Sequence, residues 1–564
     1  MKKALLIALA LGLICAWAAP AMAIDWMVIG AFTVKEDVYK NVDLRCPVYM
    51  GGIPGSFRIT GSTPVFPGFT SSPILLLGTP STNDPAWNRV SQFTQMRGDI
   101  YVIAKASEDL KGVFGIEVNS TRFGDSDGTY IPYYPGSPGL GSGNAGRWNA
   151  DAIAIQVKSM YIDFKVPMIP MWFKVGIQPF QLRNAVFLYA DAAGIWGTLK
   201  LDLDPVLLKI SPFWAKIYGE PALAQTTITG LPSQNSVPTD WTTADDANFF
   251  GVDINATIGG FKPGVFFAMQ RMAHLYQLPA GIPDPLSLFP GAVTPGGDGW
   301  SNMWWIGTYL DATVGPVSFT GDFVYNGGFE GNKSGWNLYN NPMSPFTGGN
   351  YVGDFAHYGR IHEAFETRGV ASYKMNKFTF GIGALYGTGD NPTTPFKDEG
   401  YHVPYNSEAA FFNDDFVVLT GDWGLREPFG TQNVGGLFKA WSDVGQGVWY
   451  VRGFADYQVL DWLKLKANAG YIGNTVSHGS EFSTDSFYLV SPITAQPVTP
   501  IFDNGNSDTI GVELDAGVQI NIYKNLFWDS AFGYIIGGKA LLSQYGGYRA
   551  QDPWMFTSVL TYQF

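Results

Sequence analysis

The feature that most constrains the fold is a recurring pattern of short segments in which apolar and polar residues alternate. In the segment at 509–521, Ile510, Val512 and Leu514 fall on one face, whereas Glu513 and Asp515 fall on the other. A period of two indicates a β-strand with one apolar and one polar face. Such strands suit the sheet of a soluble sandwich, and they equally suit a transmembrane barrel whose apolar face contacts lipid.

The lengths of the connections between these segments distinguish the two folds. The segments form eight pairs with very short turns inside each pair: 97–106 with 112–119, 154–166 with 171–179, 194–203 with 206–217, 247–258 with 261–271, 301–313 with 316–326, 366–375 with 378–387, 448–458 with 462–473, and 508–521 with 525–536. Long stretches rich in Gly, Pro, Asn, Asp and Ser separate the pairs. Short turns at one end and long loops at the other are typical of outer-membrane barrels, and loops this long are uncommon in compact soluble domains.

Counting the strands predicts an all-β fold, a transmembrane antiparallel β-barrel with short periplasmic turns and long extracellular loops. Eight pairs contribute 16 strands, and an opening strand at 25–34 pairs with a final strand at 553–564 to close the barrel at 18. Residues 35–95 then form the first outer loop. The stretch at 388–447 is unusually long and contains the strand-like sequence DFVVLTGDW, so barrels of 16 or 20 strands also remain open.

The two ends of the chain and its composition agree with an exported barrel. Two lysines, an apolar core over residues 4–17 and a small-residue site at 21–23 predict a signal peptide at 1–23, which leaves 24–564 as the barrel with its pore and loops. Cys46 is then the single cysteine, which excludes an internal disulfide and paired-cysteine metal clusters. A net charge of −13 argues against nucleic acid as a partner.

The last strand carries a specific signal. Alternation along this strand gives two sets of positions. The lipid-facing set is Trp554, Phe556, Leu560, Tyr562 and Phe564, and the lumen-facing set is Met555, Thr557, Val559, Thr561 and Gln563. A terminal Phe564 with Tyr562 two places before it resembles the C-terminal signature of Gram-negative outer-membrane proteins. That resemblance implies that the barrel-assembly machinery reads this strand, and that the protein lies in the outer membrane of a Gram-negative bacterium.

Two early segments, 95–125 and 157–197, resemble the first hairpins of bacterial porins. The resemblance implies a water-filled channel for passive diffusion of small hydrophilic solutes and ions. It also implies contact with outer-membrane lipid and lipopolysaccharide, a possible homotrimer, and no cofactor. By the same resemblance, residues 180–193 are the third outer loop, which folds inward to narrow the pore. Segment 120–153 is the alternative for that role.

Charged and polar side chains with inward parity are the candidate site residues, because charges on the wall and at the narrowest point set the selectivity of a pore. The predicted constriction residues are Gln178, Arg183 and Asp191. The predicted wall residues are Asp99, Lys105, Glu117, Asp163, Lys174, Lys200 and Asp202. The acidic balance predicts a mild preference for cations. Lys158 and Lys216 fall instead on the lipid face, near the outer ends of their strands.

Other functions receive less support. The stretch DFAHYGRIHEAFE brings Asp354, His357, His362 and Glu363 together in sequence, as in a metal site or an Asp–His pair, but a polar loop explains it as well, so neither an enzyme nor a metal site is predicted. The chain before Arg97 is too short for the plug of an energised receptor. A sleeve around an electron-carrying cytochrome is compatible with the barrel. A substrate-specific channel or a polysaccharide exporter of similar barrel size is the main alternative.

Overall fold

The computed structural model describes residues 24–40, 90–122, 155–218, 247–273, 299–332, 359–390, 397–404, 407, 409, 415–421, 423–426, 447–476, 509–538 and 552–564. The predicted signal peptide, Cys46 and the alternative constriction segment beyond residue 122 lie outside these residues. Among the described residues, no α-helix is long and apolar enough to cross a membrane.

The described residues form nineteen strands. They are β1 (Asp25–Lys40), β2 (Val90–Ser107), β3 (Leu110–Arg122), β4 (Ile155–Lys165), β5 (Met171–Leu182), β6 (Leu188–Asp202), β7 (Val206–Tyr218), β8 (Ala247–Ile258), β9 (Phe261–Ala273), β10 (Gly299–Val314), β11 (Val317–Asn332), β12 (Gly359–Met375), β13 (Phe378–Gly387), β14 (Lys397–Asp398), β15 (Val448–Leu460), β16 (Leu463–Asn474), β17 (Thr509–Tyr523), β18 (Leu526–Gly537) and β19 (Trp554–Gln563).

Eighteen of these strands close into one antiparallel barrel, as predicted. Each pairs with its neighbours in chain order, and β1 pairs with β19 from Ala31↔Gln563 to Lys40↔Trp554. The remaining strand, β14, is not part of the wall, because β13 pairs directly with β15. It runs parallel to β12 through the pairs Ile361↔Lys397 and His362↔Asp398. The alternatives of 16 and 20 strands are therefore wrong.

The predicted strand bounds need three corrections. β12 begins at Gly359 rather than at 366, so His362 and Glu363 lie in a wall strand and not in a polar loop. β1 continues to Lys40 and β2 begins at Val90, because the polar residues that suggested a loop are inward-facing positions of the strands. The side chains of Lys35 and Asp37 are both fully buried, with Nζ of Lys35 3.8 Å from Oδ2 of Asp37. The predicted loop at 180–193 is only residues 183–187, because β5 extends to Leu182 and β6 begins at Leu188.

The closing strand has the predicted orientation. Leu560, Tyr562 and Phe564 are each about 40% exposed on the outer face. The alternate residues point inward, and those that are fully or almost fully buried are Met555, Thr557, Val559 and Thr561. The outer face of the barrel carries many exposed apolar side chains, as expected for a surface that contacts hydrocarbon.

Two β-bulges overturn predicted side-chain directions. Ile510 is buried rather than lipid-facing, because the register shifts beside it and Gly511 has a φ of +150°. A Cβ on Gly511 would lie 2.3 Å from the carbonyl oxygen of Ile536, so only glycine fits. Lys158 points into the lumen, because it is the extra residue between Val157 and Ser159. By alternation, Lys216 keeps the outward parity of Trp214.

The terminal residue is part of the barrel seam. The N–H and C=O of Phe564 both bond to the backbone of Gly30, with N···O distances of 3.0 Å. Its ring lies 5.3 Å from the ring of Phe32 and 5.9 Å from that of Tyr562. The last residue therefore helps to join β19 to β1.

We expect Phe564→Ala to lower the free energy of unfolding by about 1–2 kcal/mol, because each aromatic contact contributes about 0.5–1.5 kcal/mol. Urea unfolding in lipid vesicles measures this change. The control is Leu560→Ala, which removes an equally exposed apolar side chain from the same strand. An equal loss in both variants would contradict a specific role of the ring. The reading of this strand by the assembly machinery stays a prediction.

Candidate pore constriction

Two segments from the long-loop end of the barrel fold into its lumen. The first inward segment is residues 183–187, between β5 and β6. The second inward segment is residues 397–426, between β13 and β15, of which 405, 406, 408, 410–414 and 422 are outside the described residues. Both contact inward-facing side chains of strands that are distant in sequence, so together they narrow the channel.

Arg183 opens the first inward segment and reaches across to β10 and β11. Its φ of +50° turns the chain inward, and its carbonyl accepts hydrogen bonds from the N–H groups of Val186 and Phe187, both at 2.9 Å. Its guanidinium pairs with Asp311 at 2.8 Å and with Asp322. The two carboxylates hold this charge in the lumen.

An aromatic cluster anchors the first inward segment. Phe187 is fully buried and stacks on Phe266 with ring centroids 4.4 Å apart; its centroid lies 5.9 Å from that of Trp305. The other buried members of the cluster are Phe180, Leu182, Val186, Leu188, Phe213, Ala215, Phe249, Ala268, Met303 and Val324. The inner wall is therefore apolar beneath this segment, whereas the candidate site residues chosen from the sequence are all polar or charged.

The part of the second inward segment that runs from residue 397 to 409, here called its upper part, is hydrogen-bonded to the first inward segment. The hydroxyl of Tyr401 donates to the carbonyl of Val186 at 2.6 Å, and that of Ser407 donates to the carbonyl of Phe187 at 3.1 Å. The indole N–H of Trp305 donates to the carbonyl of His402 at 2.8 Å. The two segments thus form one connected obstruction.

The lower part of the second inward segment, residues 415–426, contacts the inner face of β13 and β15–β19. Val417, Val418 and Leu419 are fully buried. The carboxylate of Glu513 on β17 accepts hydrogen bonds from the N–H groups of Val418 at 2.5 Å and Leu419 at 3.0 Å. The wall residues that pack in the same apolar cluster are Leu385, Val448, Tyr450, Ile472, Ile510, Ala531, Ile535 and Met555.

A buried ion cluster fixes the start of this lower part. Asp415 is fully buried and accepts two hydrogen bonds from Arg368 on β12, at 2.9 and 2.8 Å. It also pairs with Arg452 and with the hydroxyl of Tyr450. Burial raises the pKa of Asp415, but Arg368, Arg452 and the hydroxyl of Tyr450 together lower it by more, so that the pKa lies below its ordinary value. The carboxylate is therefore ionised at neutral pH.

The end of the segment is anchored in the same manner. The backbone N–H of Arg426 donates to Asp529 on β18 at 2.9 Å, and its guanidinium pairs with the same carboxylate at 2.5 Å. The ammonium of Lys466 donates to the carbonyl of Trp423 at 2.9 Å. The strand-like sequence DFVVLTGDW is thus an inward segment and not a wall strand, because its apolar residues face apolar positions of the inner wall.

The three predicted constriction residues have different surroundings. Arg183 lies in the first inward segment. Asp191 on β6 pairs with Lys158 at 3.7 Å. Gln178 is buried, and its amide donates to the carbonyls of Lys174 and Gly194. Its side chain is therefore held against the wall backbone rather than presented to the lumen. A constriction role for all three residues stays a prediction.

Asp99 and Glu117 join a charge cluster around Lys158. The ammonium of Lys158 lies 3.2 Å from Glu117 and 3.8 Å from Asp99. Arg97 pairs with Glu117 at 2.7 Å and with Asp99 at 2.9 Å. Together with Asp191, this cluster holds three carboxylates and two basic groups on the inner wall.

The other predicted wall residues lie toward the short-turn end. Asp163, Lys174 and Lys200 line a recess of about 200 Å³ together with Trp172, Phe173, Trp196 and Thr198. The ammonium of Lys200 lies 4.3 Å from the ring centroid of Trp172. Lys105 pairs with Glu108 in the β2–β3 turn, and Asp202 is exposed at the end of β6. Their contribution to selectivity stays a prediction.

Sequence reasoning missed the second inward segment and its wall partners. Apolar residues on both faces of single strands were the available signal. In β15, for example, Tyr450 is buried inside and Val451 is exposed outside, and Ile472 and Tyr471 of β16 show the same arrangement. A lumen face that carries aromatic residues needs a covering segment, because water would otherwise contact that apolar surface.

The chain is similar to known proteins in overall structure and not in sequence. No family model and no curated protein matches the sequence. The OccK1 (OpdK) structure of Pseudomonas aeruginosa is similar with a TM-score of 0.41 and 10% identity, over 95% of this chain and 98% of that chain. Acinetobacter baumannii OccAB3 gives 0.42 and 10%, over 95% and 99%. OmpT of Vibrio cholerae, an outer-membrane protein in a trimer form, gives 0.33 and 9%, over 96% and 99%.

A closed 18-strand antiparallel barrel with an apolar outer face and a charged inner wall is the architecture of an outer-membrane channel.

Proposed function

We propose that the protein is an outer-membrane channel through which small polar solutes and ions diffuse passively, with the two inward segments restricting what passes. The observation that carries this proposal is the connected obstruction inside a closed barrel. A barrel of this size otherwise encloses an open aqueous lumen. The hydrogen bonds from Tyr401 and Ser407 to the first inward segment hold the obstruction in place.

The charges on the inner wall support a mild preference for cations. The cluster around Lys158 has one more carboxylate than basic groups. Arg183 is opposed by two carboxylates, those of Asp311 and Asp322. Fixed carboxylates along a pore raise the local concentration of cations and lower that of anions.

A substrate-specific channel is the second candidate, and the recess beside Lys174 and Lys200 favours it. Two ammonium groups and the indole rings of Trp172 and Trp196 face one small volume. Such a site can hold an anionic or aromatic group in transit. A polysaccharide exporter is less well supported, because a polymer in transit would have to pass two segments that are bonded to each other inside the lumen.

The location and partners follow from the same proposal. The exposed apolar belt suits outer-membrane lipid and lipopolysaccharide, and the aromatic end of β19 suits recognition by the barrel-assembly machinery. A homotrimer remains part of the proposal through the porin resemblance. Nothing in the proposed mechanism requires a cofactor or catalysis.

Conductance of the purified protein in a planar bilayer tests the channel and its selectivity. We expect stable ohmic steps, and a reversal potential under a salt gradient that has the sign of cation preference. In the double variant Asp191→Asn/Asp311→Asn the preference for cations should fall. Asp191 is the most exposed carboxylate that pairs with Lys158, at 32%, and Asp311 is the more exposed of the two that pair with Arg183, at 38%.

The matched control is Asp109→Asn, which removes one negative charge from a side chain that is 63% exposed in the β2–β3 turn and pairs with none of the predicted site residues. Its reversal potential should equal that of the wild type. Folded protein that gives no steps would contradict an open channel. Steps of unchanged selectivity in the double variant would contradict the role of these carboxylates.

A further inference from the structure

We propose that His362, Asp398 and His402 form a binding site for Zn²⁺ that joins the second inward segment to the barrel wall. His362 points inward from β12, Asp398 belongs to β14, and His402 follows four residues later. Their ligand atoms all lie within 4.8 Å of one another. The site stands on these residues alone and does not depend on the proposed function.

The distances suit a metal of this size. The nearer carboxylate oxygen of Asp398 lies 3.0 Å from Nε2 of His402 and 3.5 Å from Nδ1 of His362. Two ligand atoms bound at about 2.1 Å to a tetrahedral metal lie roughly 3.4 Å apart. The imidazole rings meet edge to face with centroids 5.5 Å apart, and the third pair of ligand atoms, one nitrogen from each ring, lies within 4.8 Å.

The ligand set selects the class of metal. Two imidazoles and one carboxylate are typical ligands of Zn²⁺ and neighbouring first-row divalent ions, with one position left for water. Ca²⁺ and Mg²⁺ prefer sites made entirely of oxygen ligands. The choice of Zn²⁺ therefore follows from the ligand chemistry and from the tetrahedral spacing.

Neighbouring groups hold two of the ligands in place. The N–H of Gly400 donates to the other carboxylate oxygen of Asp398 at 3.0 Å, which leaves the first oxygen directed at the imidazoles. Trp305 fixes the backbone of His402 through its indole N–H. Such outer contacts orient ligands in metal sites. The parallel pairing of β14 with β12 places Asp398 directly beside His362.

The position of the site gives the ion a structural consequence. His362 belongs to the wall, whereas Asp398 and His402 belong to the segment whose Tyr401 bonds to the first inward segment. One bound ion would therefore link the barrel wall to the second inward segment and, through Tyr401, to the first inward segment. Glu363, the neighbour of His362, faces the other way and pairs with Lys397 at 2.7 Å. Asp354 and His357 lie outside the described residues.

Titration calorimetry of the full-length, tag-free protein in detergent, stripped with EDTA, tests the proposal with Zn²⁺ as the probe. We expect one ion per chain. The affinity should fall by at least about 10-fold in His362→Ala, Asp398→Asn and His402→Ala, since even outer-contact losses cost this much in metal sites. Glu363→Gln is the matched control and should bind as the wild type does.

A second readout separates loss of a ligand from loss of fold. Co²⁺ in place of Zn²⁺ should give the visible absorption of a tetrahedral site in the wild type and in Glu363→Gln, but not in His402→Ala. Retention of the heat-modifiable band on electrophoresis shows that each variant is folded. Absence of stoichiometric binding, or equal binding in the wild type and all three ligand variants, would overturn the proposal.

Discussion

A variant in which a short Gly–Ser linker replaces residues 391–446 is expected to form a channel with several-fold larger conductance than the wild-type protein. This stretch includes the second inward segment, which fills the lumen beside β12 and β15–β19. Its removal leaves the inner wall on that side open to water. Ion flux then rises because the narrowest cross-section of the pore increases.

The wall itself should tolerate this replacement. β13 and β15 pair directly from Phe378↔Tyr457 to Tyr386↔Trp449, so no wall strand is lost. The chain ends to be joined are adjacent, because a Cβ on Gly389 would lie 2.5 Å from the nitrogen of Gly447. A short linker is therefore sufficient to reconnect them.

Single-channel recording in planar bilayers measures the expected increase. The control carries the same linker inserted in the β15–β16 turn between Asp461 and Trp462, and should conduct as the wild type does. Larger neutral solutes should also permeate the deletion variant faster in a liposome-swelling assay. A folded variant with wild-type conductance would mean that the second inward segment does not limit flow.

The barrel was predictable because its signals are local. Alternation within each strand, short turns inside each pair and the aromatic residues of β19 depend on residues close in sequence. Those signals led to the correct number of strands and to the β1–β19 closure. They failed where one extra residue changes parity, as at Lys158 and Ile510, because a bulge is determined by the pairing between strands.

The constriction was not predictable in the same way, because its contacts are remote in sequence. Arg183 meets carboxylates 128 and 139 residues away. Asp415 meets guanidinium groups 47 and 37 residues away. An acidic residue in a long polar loop carries no local signal that it will be buried between two arginines. Alternation identified Lys174 and Lys200 as inward-facing, but their shared recess with Trp172 and Trp196 emerges only from the pairing of β4, β5 and β6.

Replacement of Asp415 by alanine is expected to release the second inward segment from the wall. Arg368 and Arg452 would then be left buried without their shared carboxylate. Removal of one partner from a buried ion pair costs about 3–5 kcal/mol. Hydrogen exchange at the amides of Val418 and Leu419 measures the loss, because opening of the segment exposes both amides. We expect their protection to fall steeply, and current fluctuations in bilayers to increase.

Asp456→Ala is the matched control in the neighbouring wall. Asp456 pairs with Lys464 at 3.7 Å, and both side chains are partly exposed, at 24% and 32%. Such pairs contribute at most about 1 kcal/mol. Protection of Val418 and Leu419 should therefore not change. Equal protection in Asp415→Ala and the wild type would show that the apolar contacts alone hold the segment.

The carboxylate of Asp415 makes the attachment of the second inward segment to the wall weaker at acidic pH. Burial raises the pKa of Asp415, but Arg368, Arg452 and the hydroxyl of Tyr450 together lower it below its ordinary value in the folded protein. Its contribution to docking is complete above the unfolded pKa of about 4 and is lost as the pH falls through the lower folded value. Acidification below about pH 4 should therefore increase the conductance of the wild type. The increase should be smaller in Asp415→Ala, where this carboxylate is already absent, and an equal increase in both proteins would assign the acid response to other groups.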